Sequence, residues 1–390
     1  MSERESFIEE WKKAEECFAE LCRKYEISRQ CGYKWVERYK SGGTAGLEER
    51  SRAPHDMPQA MSDAVAKRIV ELRREHPRWG ARKLKAYLAC REPKVAWPAA
   101  SSIGELLRRE GLSQPRRKRQ RTPASGEPLS HAEAPNQVWS ADFKGWFLCR
   151  DGQRCDPLTV SDAFSRYLMR CRAVQRTDGV QARAVLEAVF REYGMPQAIR
   201  TDNGAPFASK APAGLSRLSM WWLRLGIRHE RIDPGHPEQN GRHERLHQTL
   251  KQETASPPKA NLWQQQKAFV WFEQEYNEQR PHEALAYKTP ASVYVGSAQQ
   301  YPSKLPDLPY PAGAQLRLIS HNGYLKWRQE RIFLSEVLAR ERVGLLEVES
   351  DFFEVYYGPL LLGWLDGIGR VFAADPGCRK HSRSKRSPEP

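Results

Sequence analysis

The spacing of apolar residues changes near Asn136, and this change most constrains how the 390-residue chain can fold. Before Asn136, apolar side chains recur every three or four residues, which is typical of amphipathic helices. After it, Val138, Ser140 and Asp142 alternate with apolar neighbours, which predicts a strand. The sequence therefore predicts a multidomain chain in which helical units precede an α/β core with a mixed sheet.

Two tandem helical units are predicted in the N-terminal third. In the first unit, residues 1–55, a helix over residues 9–24 is followed by a turn and a second helix that Ser28 caps. This helix-turn-helix pattern would place the second helix in the major groove of DNA. The candidate contacts are Ser28, Arg29, Gln30, Tyr33 and Lys34. The spacing fits a helical hairpin without a DNA role equally well, and the unit has no net charge.

The second helical unit, residues 56–113, is strongly basic. Residues 56–125 contain 17 Lys or Arg against 7 Asp or Glu, so they hold +10 of the chain's net charge of +15. A polyanionic partner such as double-stranded DNA is therefore expected. The last helix of this unit is the better candidate for base or phosphate contacts, through Ser101, Ser102, Arg108 and Arg109.

A basic segment follows at residues 114–135 and is also rich in Pro, Ser and Gly. This composition predicts an interdomain linker that contacts DNA phosphates. The candidate residues are Arg116, Arg117, Lys118, Arg119 and Arg121. A linker that is only kept soluble by its charge is the alternative. A second basic run lies in residues 376–390, where the composition predicts a disordered tail.

Residues 136–255 show the order of elements expected for a mixed sheet. Strands are predicted at residues 138–143, 158–160, 167–174, 198–201 and 227–232, and helices at residues 178–193, 215–225 and 239–251. A helical extension of the core is predicted for residues 256–300. It begins with a helix over residues 256–276, whose aromatic stripe favours core packing over base stacking. Short β-like runs separated by turns predict a small barrel in residues 310–375.

Acidic residues occupy three motifs along the core. The motifs are Trp139-Ser140-Ala141-Asp142-Phe143, Thr201-Asp202-Asn203-Gly204, and Pro234-Gly235-His236-Pro237-Glu238-Gln239-Asn240-Gly241-Arg242-His243-Glu244-Arg245. A fourth element follows them, Tyr276-Asn277-Glu278-Gln279-Arg280-Pro281-His282. In this order, the four elements resemble those of bacterial insertion-sequence transposases with a retroviral-integrase core.

The resemblance implies a ribonuclease-H-like fold and a catalytic triad of two aspartates and a glutamate (DDE), namely Asp142, Asp202 and Glu244. Carboxylate oxygens are ligands that Mg²⁺ prefers, so the same three residues are the candidate metal ligands. Two Mg²⁺ ions, with Mn²⁺ as a substitute, would assist phosphodiester cleavage, and Asp142 would bridge them. Gln248 and Lys251 share a helix face with Glu244 and are candidates for a phosphate contact.

These features predict a transposase that binds the inverted-repeat ends of its element, frees a 3′-OH and joins it to target DNA. The resemblance implies a homodimer or tetramer in a synaptic complex. No apolar stretch is long enough to span a bilayer, and the N-terminus lacks an apolar signal core. The sequence therefore predicts a cytoplasmic, nucleoid-associated protein.

Two other functions fit parts of the sequence. A non-catalytic DNA-binding protein derived from a transposase would use the same helical units. Residues 243–247 also match the His-Glu-x-x-His signature of zinc metalloproteases, with Glu273, Glu275 or Glu278 as a third ligand. The protease interpretation leaves Asp142 and Asp202 without a role, so the sequence favours the transposase.

Overall fold

The computed structural model describes residues 3–49, 61–113, 129–233, 239 and 241–373. It divides into two compact units, of which the first ends at Asp63 and the second begins at Ala64. The predicted phosphate contacts of residues 116–121 lie outside the described residues, as does the tail at residues 376–390. Among the described helices, none is both long enough and apolar enough to cross a membrane.

The first unit consists of helices α1 (Glu3–Lys13), α2 (Phe18–Lys24) and α3 (Arg29–Gly42), followed by a 3-10 turn at Gly43–Leu47. The single helix predicted over residues 9–24 is wrong, because Ala14 has a left-handed backbone with a φ of 53° and α2 starts after Cys17. Ser28 caps α3 as predicted, since its hydroxyl accepts a hydrogen bond from the Cys31 amide at 3.2 Å.

The next helices are α4 (Asp63–Glu75), α5 (Ala81–Arg91) and α6 (Ala100–Arg109). Their core contains Trp79, which is 1% exposed and stacks on His76 with ring centroids 3.8 Å apart. These helices also contact the C-terminal end of the α/β core. Arg82 Nη1 lies 3.0 Å from Glu283 Oε1, and His76 Nδ1 lies 3.6 Å from Glu275 Oε1. The second helical region is therefore packed onto the core within one unit.

The α/β core is built on a mixed sheet with strands β1 (Val138–Phe143), β2 (Phe147–Leu148), β3 (Arg154–Asp162), β4 (Leu168–Val174), β5 (Ala198–Thr201) and β6 (Arg228–Arg231). The order across the sheet is β2–β3–β1–β5–β6, with β4 also paired to β3. Strand β1 is antiparallel to β3 and parallel to β5, and β5 is parallel to β6. The predicted mixed sheet is confirmed, although β3 extends beyond residues 158–160.

Helices cover both faces of this sheet: α7 (Gly179–Tyr193) and α8 (Arg217–Arg224) on one, and α9 (Gly241–Thr254) and α10 (Leu262–Gln274) on the other. On the first face, Trp139 packs against Phe190 with ring centroids 5.9 Å apart. On the second, Leu246 of α9 and Phe272 of α10 are buried with Leu168 of β4. Full burial of such a side chain contributes about 1.5–3 kcal/mol, so apolar packing holds α9 against the sheet.

Side chains from α10 and its continuation satisfy the outer edge of strand β4. Asn277 lies in the π-helical turn Glu275–Gln279, where it accepts from the Leu168 amide and donates to the Leu168 carbonyl, both at 2.8 Å. Gln266 donates to the Cys171 carbonyl at 3.0 Å. The helix thus takes the place of a neighbouring strand and protects an edge that would otherwise pair with another chain.

The C-terminal strands are β7 (Gln315–Leu318), β8 (Tyr324–Trp327), β9 (Glu330–Phe333), β10 (Arg342–Glu349), β11 (Phe352–Tyr357), β12 (Leu360–Asp366) and β13 (Val371–Ala373). They form an open antiparallel sheet, β13–β12–β11–β10–β7, and a separate β8–β9 hairpin. The barrel predicted for residues 310–375 is not formed by the described strands. The short hairpin packs on the sheet, with Trp327 and Phe353 ring centroids 4.7 Å apart, instead of joining its two edges.

The C-terminal sheet shares an apolar core with helix α8 and the residues before it. Leu215 and Met220 are buried in the same cluster as Tyr357. Arg224 of α8 is hydrogen-bonded to Glu341, next to the start of β10. The C-terminal region is therefore packed onto the α/β core by both apolar and charged contacts.

Candidate active site

Two of the predicted catalytic acids follow neighbouring parallel strands. The register of β1 and β5 pairs Ser140 with Arg200, and Asp142 and Asp202 lie two residues further along each strand. Parallel neighbours in a sheet are about 4.8 Å apart, so both acids leave the sheet at the same edge. Asp202 Oδ1 accepts from the Gly204 amide at 3.1 Å, which stabilises the turn after β5.

The third predicted acid, Glu244, lies in the first turn of α9 with its side chain exposed. Gln248 and Lys251 follow at the fourth and seventh positions and are also exposed. The three side chains share one stripe of the helix, as the spacing predicted. His243 and Leu246 are buried on the opposite stripe.

The structure does not place the three acids in one tight cluster. In the described ranges, the only three potential metal-ligating groups whose donor atoms all lie within 4.8 Å of one another belong to Asp142, His243 and His247. Asp202 and Glu244 are outside this set. The acidic triad thus stays a prediction, and Asp142 is its only member that belongs to the observed cluster.

One hydroxyl connects Asp142 to both histidines. Thr159 Oγ1 lies 2.7 Å from Nε2 of His243, 2.7 Å from Nε2 of His247 and 3.2 Å from the carbonyl oxygen of Asp142. A hydroxyl has a single proton, and a carbonyl oxygen can only accept. All three contacts are therefore satisfied when Thr159 donates to the carbonyl and each imidazole donates through Nε2. Both histidines are then neutral.

Burial keeps the two imidazoles neutral. It lowers the pKa of His243 to about 4. Burial, together with neighbouring His243 and Lys144, also holds the pKa of His247 well below its usual value. His243 Nδ1 accepts from Ser161 Oγ at 3.2 Å, whereas His247 Nδ1 faces Asp142 Oδ2 at 3.9 Å. An unprotonated nitrogen and a carboxylate oxygen thus face each other across a gap.

None of the three glutamates predicted as the third zinc ligand of a metalloprotease lies near the two histidines, where the carboxylate present is that of Asp142. Glu273, Glu275 and Glu278 are all described, and none belongs to the cluster around His243 and His247. Glu273 instead accepts from a backbone amide of β4, and Glu275 faces a histidine of the second helical region. The ligand sets predicted for the metalloprotease are therefore not formed.

A group of arginines beside the site was missed by sequence reasoning. Arg166, Arg200 and Arg242 line a small cavity together with Ser140 and Tyr276. Burial, with Arg242 next in effect, lowers the pKa of Arg166 to about 10. Burial also lowers the pKa of Arg242, with Arg200 as the next cause. Arg200 is paired with Glu230 at 3.0 Å, whereas the positive charges of Arg166 and Arg242 would attract an anion. The arginines come from separate parts of the sequence, so no local pattern indicated the group.

Lys144 was also missed. Its amide donates to the Pro157 carbonyl at 2.9 Å, which extends the pairing of β1 with β3. Burial lowers the pKa of Lys144, and Lys251 of α9 lowers it further. The sequence contained one indication that Lys144 belongs to the site. It lies two residues after Asp142, so both side chains project from the same face of an extended chain.

In the first unit, the predicted DNA contacts lie on one exposed surface. Ser28, Arg29, Gln30, Tyr33 and Lys34 are all exposed around the N-terminal end of α3. The Tyr33 ring is 61% exposed and stacks on a phenylalanine of α2 with ring centroids 4.3 Å apart. This surface is accessible to a partner, and its role in DNA binding stays a prediction.

The predicted contacts on α6 are also accessible. Ser101, Ser102, Arg108 and Arg109 are exposed, the serines in the first turn and the arginines in the last. Arg108 is paired with Glu105 at 2.6 Å. Because such an exposed pair contributes little energy, Glu105 would not prevent Arg108 from binding a phosphate.

Family models match most of the described chain. A helix-turn-helix domain matches residues 3–55, and a homeodomain-like domain matches residues 31–107. Integrase core domains match residues 132–237 and 225–290, which include all three acids.

Similar proteins come from insertion elements. An uncharacterized 31.7 kDa protein of insertion element IS407 from Burkholderia multivorans is 33% identical over 237 residues, 60% of this chain and 82% of that protein. The transposase for IS904 from Lactococcus lactis is 28% identical over 163 residues, 41% of this chain and 61% of that protein. The HTLV-2 integrase catalytic core in complex with magnesium aligns over 42% of this chain and 99% of its own, with a TM-score of 0.34 and 17% identity. The chain belongs to the insertion-sequence transposases, DDE-type enzymes with an integrase core and helix-turn-helix domains.

Proposed function

We propose that the protein binds the inverted-repeat ends of its insertion element, cleaves DNA there in a metal-dependent reaction, and transfers the freed 3′-OH into target DNA. The observation that best supports this proposal is the position of Asp142 and Asp202 after adjacent parallel strands. Glu244, exposed on the first turn of α9, would complete the site.

The donor chemistry of the three acids fits a hard divalent cation. Carboxylate oxygens suit Mg²⁺, for which Mn²⁺ would substitute, and nearby carboxylates that repel one another are stabilised by a cation. Two ions bound there would supply an activated nucleophile and charge relief at phosphorus. Asp142 would contribute to holding both ions, and Asp202 and Glu244 mainly one each.

Cationic side chains next to the acids would hold the DNA backbone. Lys251 lies on the same exposed stripe of α9 as Glu244, and Arg166 and Arg242 line the neighbouring cavity. Fixing the phosphate in this way aligns it with the attacking oxygen. The 3′-OH attacks directly, so the protein needs no covalent nucleophile of its own.

The helix-turn-helix and homeodomain-like regions would bind the element's ends. Their candidate surfaces are the exposed N-terminal end of α3 and the exposed residues of α6. Because two ends must be joined to one target, the active form would be a homodimer or tetramer on double-stranded DNA.

Three substitutions test the proposed chemistry: Asp142→Asn, Asp202→Asn and Glu244→Gln. Each should abolish end cleavage in Mg²⁺ and leave end binding intact, because a lost metal ligand removes several kcal/mol of transition-state stabilisation, roughly a 10³-fold loss of rate. Asp151→Asn and Glu278→Gln change exposed acids outside the site and should cleave normally. Strand transfer retained in any triad variant would contradict the assignment.

A transposase-derived protein that only binds DNA is the second candidate. The observation that favours it is the absence of Asp202 and Glu244 from the tight cluster around Asp142 within the described residues. The wild-type protein would then protect the element's ends from nuclease digestion but would not cleave them in Mg²⁺ or Mn²⁺.

A further inference from the structure

His247 and Asp142 face each other and form a donor pair from which the proposed magnesium chemistry uses only Asp142. His247 Nδ1 and Asp142 Oδ2 are 3.9 Å apart, and a donor nitrogen of His243 is within 4.8 Å of both residues' donor atoms. Mg²⁺ takes oxygen ligands. An imidazole nitrogen beside a carboxylate oxygen suits Zn²⁺ and related transition metals instead.

The separation of the two atoms is small enough for both to bind a single ion. Zinc binds a histidine nitrogen at about 2.0–2.1 Å and a carboxylate oxygen at about 2.0–2.2 Å. Two such ligands of one ion can therefore be at most about 4.2–4.3 Å apart. The observed 3.9 Å lies within this limit, and a tetrahedral ion, whose ligand atoms are about 3.4 Å apart, would require the two side chains to approach by about 0.5 Å.

The hydrogen bonds of Thr159 prepare His247 for this role. His247 donates its Nε2–H to the hydroxyl, which leaves Nδ1 with a lone pair. Metal-bound histidines commonly have their tautomer fixed in this way, by donating the other ring N–H to an oxygen. His243 contacts the same hydroxyl, and its second ring nitrogen contacts Ser161. We therefore treat His243 as a positioning residue and not as a ligand.

We propose that Asp142 and His247 bind a divalent transition metal of the zinc class, at a site that overlaps the acidic triad in Asp142 alone. Water or a DNA phosphate oxygen would occupy the remaining coordination positions. One consequence rests on the proposed function: an ion held here would withdraw Asp142 from the magnesium site and inhibit end cleavage.

Titration with Co²⁺ alone tests the site in the full-length, untagged protein after treatment with a chelator. Visible absorption reports the bound ion, and added Zn²⁺ should displace it. His247→Gln should bind Co²⁺ roughly tenfold or more weakly, because glutamine keeps an N–H for Thr159 but has no equivalent of Nδ1. Asp142→Asn should weaken binding similarly. His321→Gln, which changes an exposed histidine, should bind Co²⁺ like the wild type.

Equal Co²⁺ affinity in the wild type and in His247→Gln would overturn the proposal. Sulfur-to-cobalt charge-transfer absorption would also overturn it, because the ion would then be bound by cysteines. If His247→Gln does not fold, as judged by circular dichroism, Asp142→Asn and Glu244→Gln together decide the question, because only the first should lose Co²⁺ at the proposed site, whereas loss in both would place the ion at the acidic triad and overturn the proposal. The titration needs no DNA cleavage. A protein that binds Co²⁺ through His247 but never cleaves DNA would contradict the proposed function and still support the metal site.

Discussion

Thr159 is paired with Asp142 across strands β1 and β3, and its hydroxyl lies 3.2 Å from the Asp142 carbonyl oxygen. The same hydroxyl accepts from the imidazoles of His243 and His247 on α9. The strand that carries the first acid is thus joined to the helix that carries Glu244 through one buried polar atom. The position of α9 beside the acids depends on this contact as well as on apolar packing.

Thr159→Val should destabilise the protein and slow end cleavage. Valine has nearly the shape of threonine but leaves two imidazole N–H groups without an acceptor. Each unsatisfied buried donor costs about 1–3 kcal/mol, so the free energy of unfolding should fall by roughly 2–6 kcal/mol. Urea denaturation measures this change. Thr159→Ser keeps the hydroxyl and should lose much less. Equal stability of the valine variant and the wild type would show that the hydroxyl is not the shared acceptor.

Asn277→Leu should lower stability because it removes the side chain that pairs with the backbone of Leu168. One amide and one carbonyl of strand β4 would lose their partner, which costs roughly 2–6 kcal/mol in total. Guanidinium denaturation gives the difference. Gln274→Leu, an exposed position on α10, serves as the control and should change stability by less than about 0.5 kcal/mol.

Deprotonation of Glu273 should make the protein less stable as the pH rises. Burial raises the pKa of Glu273 from the usual 4.5 of a glutamate to about 7, so its stabilising contribution is complete below about pH 4.5 and is lost as the pH rises through 7. From pH 5 to pH 8, this group should cost roughly 2–3 kcal/mol. Glu273→Gln keeps the acceptor for Cys171 and should remove this part of the pH dependence. An unchanged pH profile in Glu273→Gln would refute the assignment. Glu278→Gln, at an exposed position, is the matched control.

The basic run at residues 116–121 should account for part of the salt dependence of DNA binding. Each phosphate contact contributes about 0.9 to the slope of log affinity against log salt concentration. Changing Arg116, Arg117, Lys118, Arg119 and Arg121 to Gln should therefore lower the slope by up to about 4.5. Fluorescence anisotropy from 50 to 200 mM salt would measure it. An unchanged slope would mean that these charges serve only solubility.

Local signals in the sequence predicted the elements better than their contacts. Period-two alternation located β1 with Asp142, and Asp178 before an apolar pattern marked the start of α7, which it caps. The helix predicted from residue 256 begins only at Leu262, because Pro257 and Pro258 do not fit a helix interior and Asn261 provides the cap. The two prolines are visible in the sequence and could have excluded a helix that begins at residue 256.

The shared contact of Thr159 with two histidines had no such signal. His243 and His247 lie 84 and 88 residues after Thr159. Their meeting depends on the order of strands in the sheet and on the face that α9 covers, and neither is encoded in local periodicity. The His-Glu-x-x-His pattern drew attention to the right pair of histidines. Their actual carboxylate neighbour, Asp142, came from a strand far upstream.

The burial of Leu215 and Met220 beneath the C-terminal sheet has a consequence for shortened copies of the gene. A protein that ended before residue 310 would still contain all three acids. It would, however, expose the apolar surface of α8 that the sheet normally covers. Exposed patches of this kind cause proteins to associate. A protein without the last strands would therefore aggregate and be inactive, even though it contains all three acids.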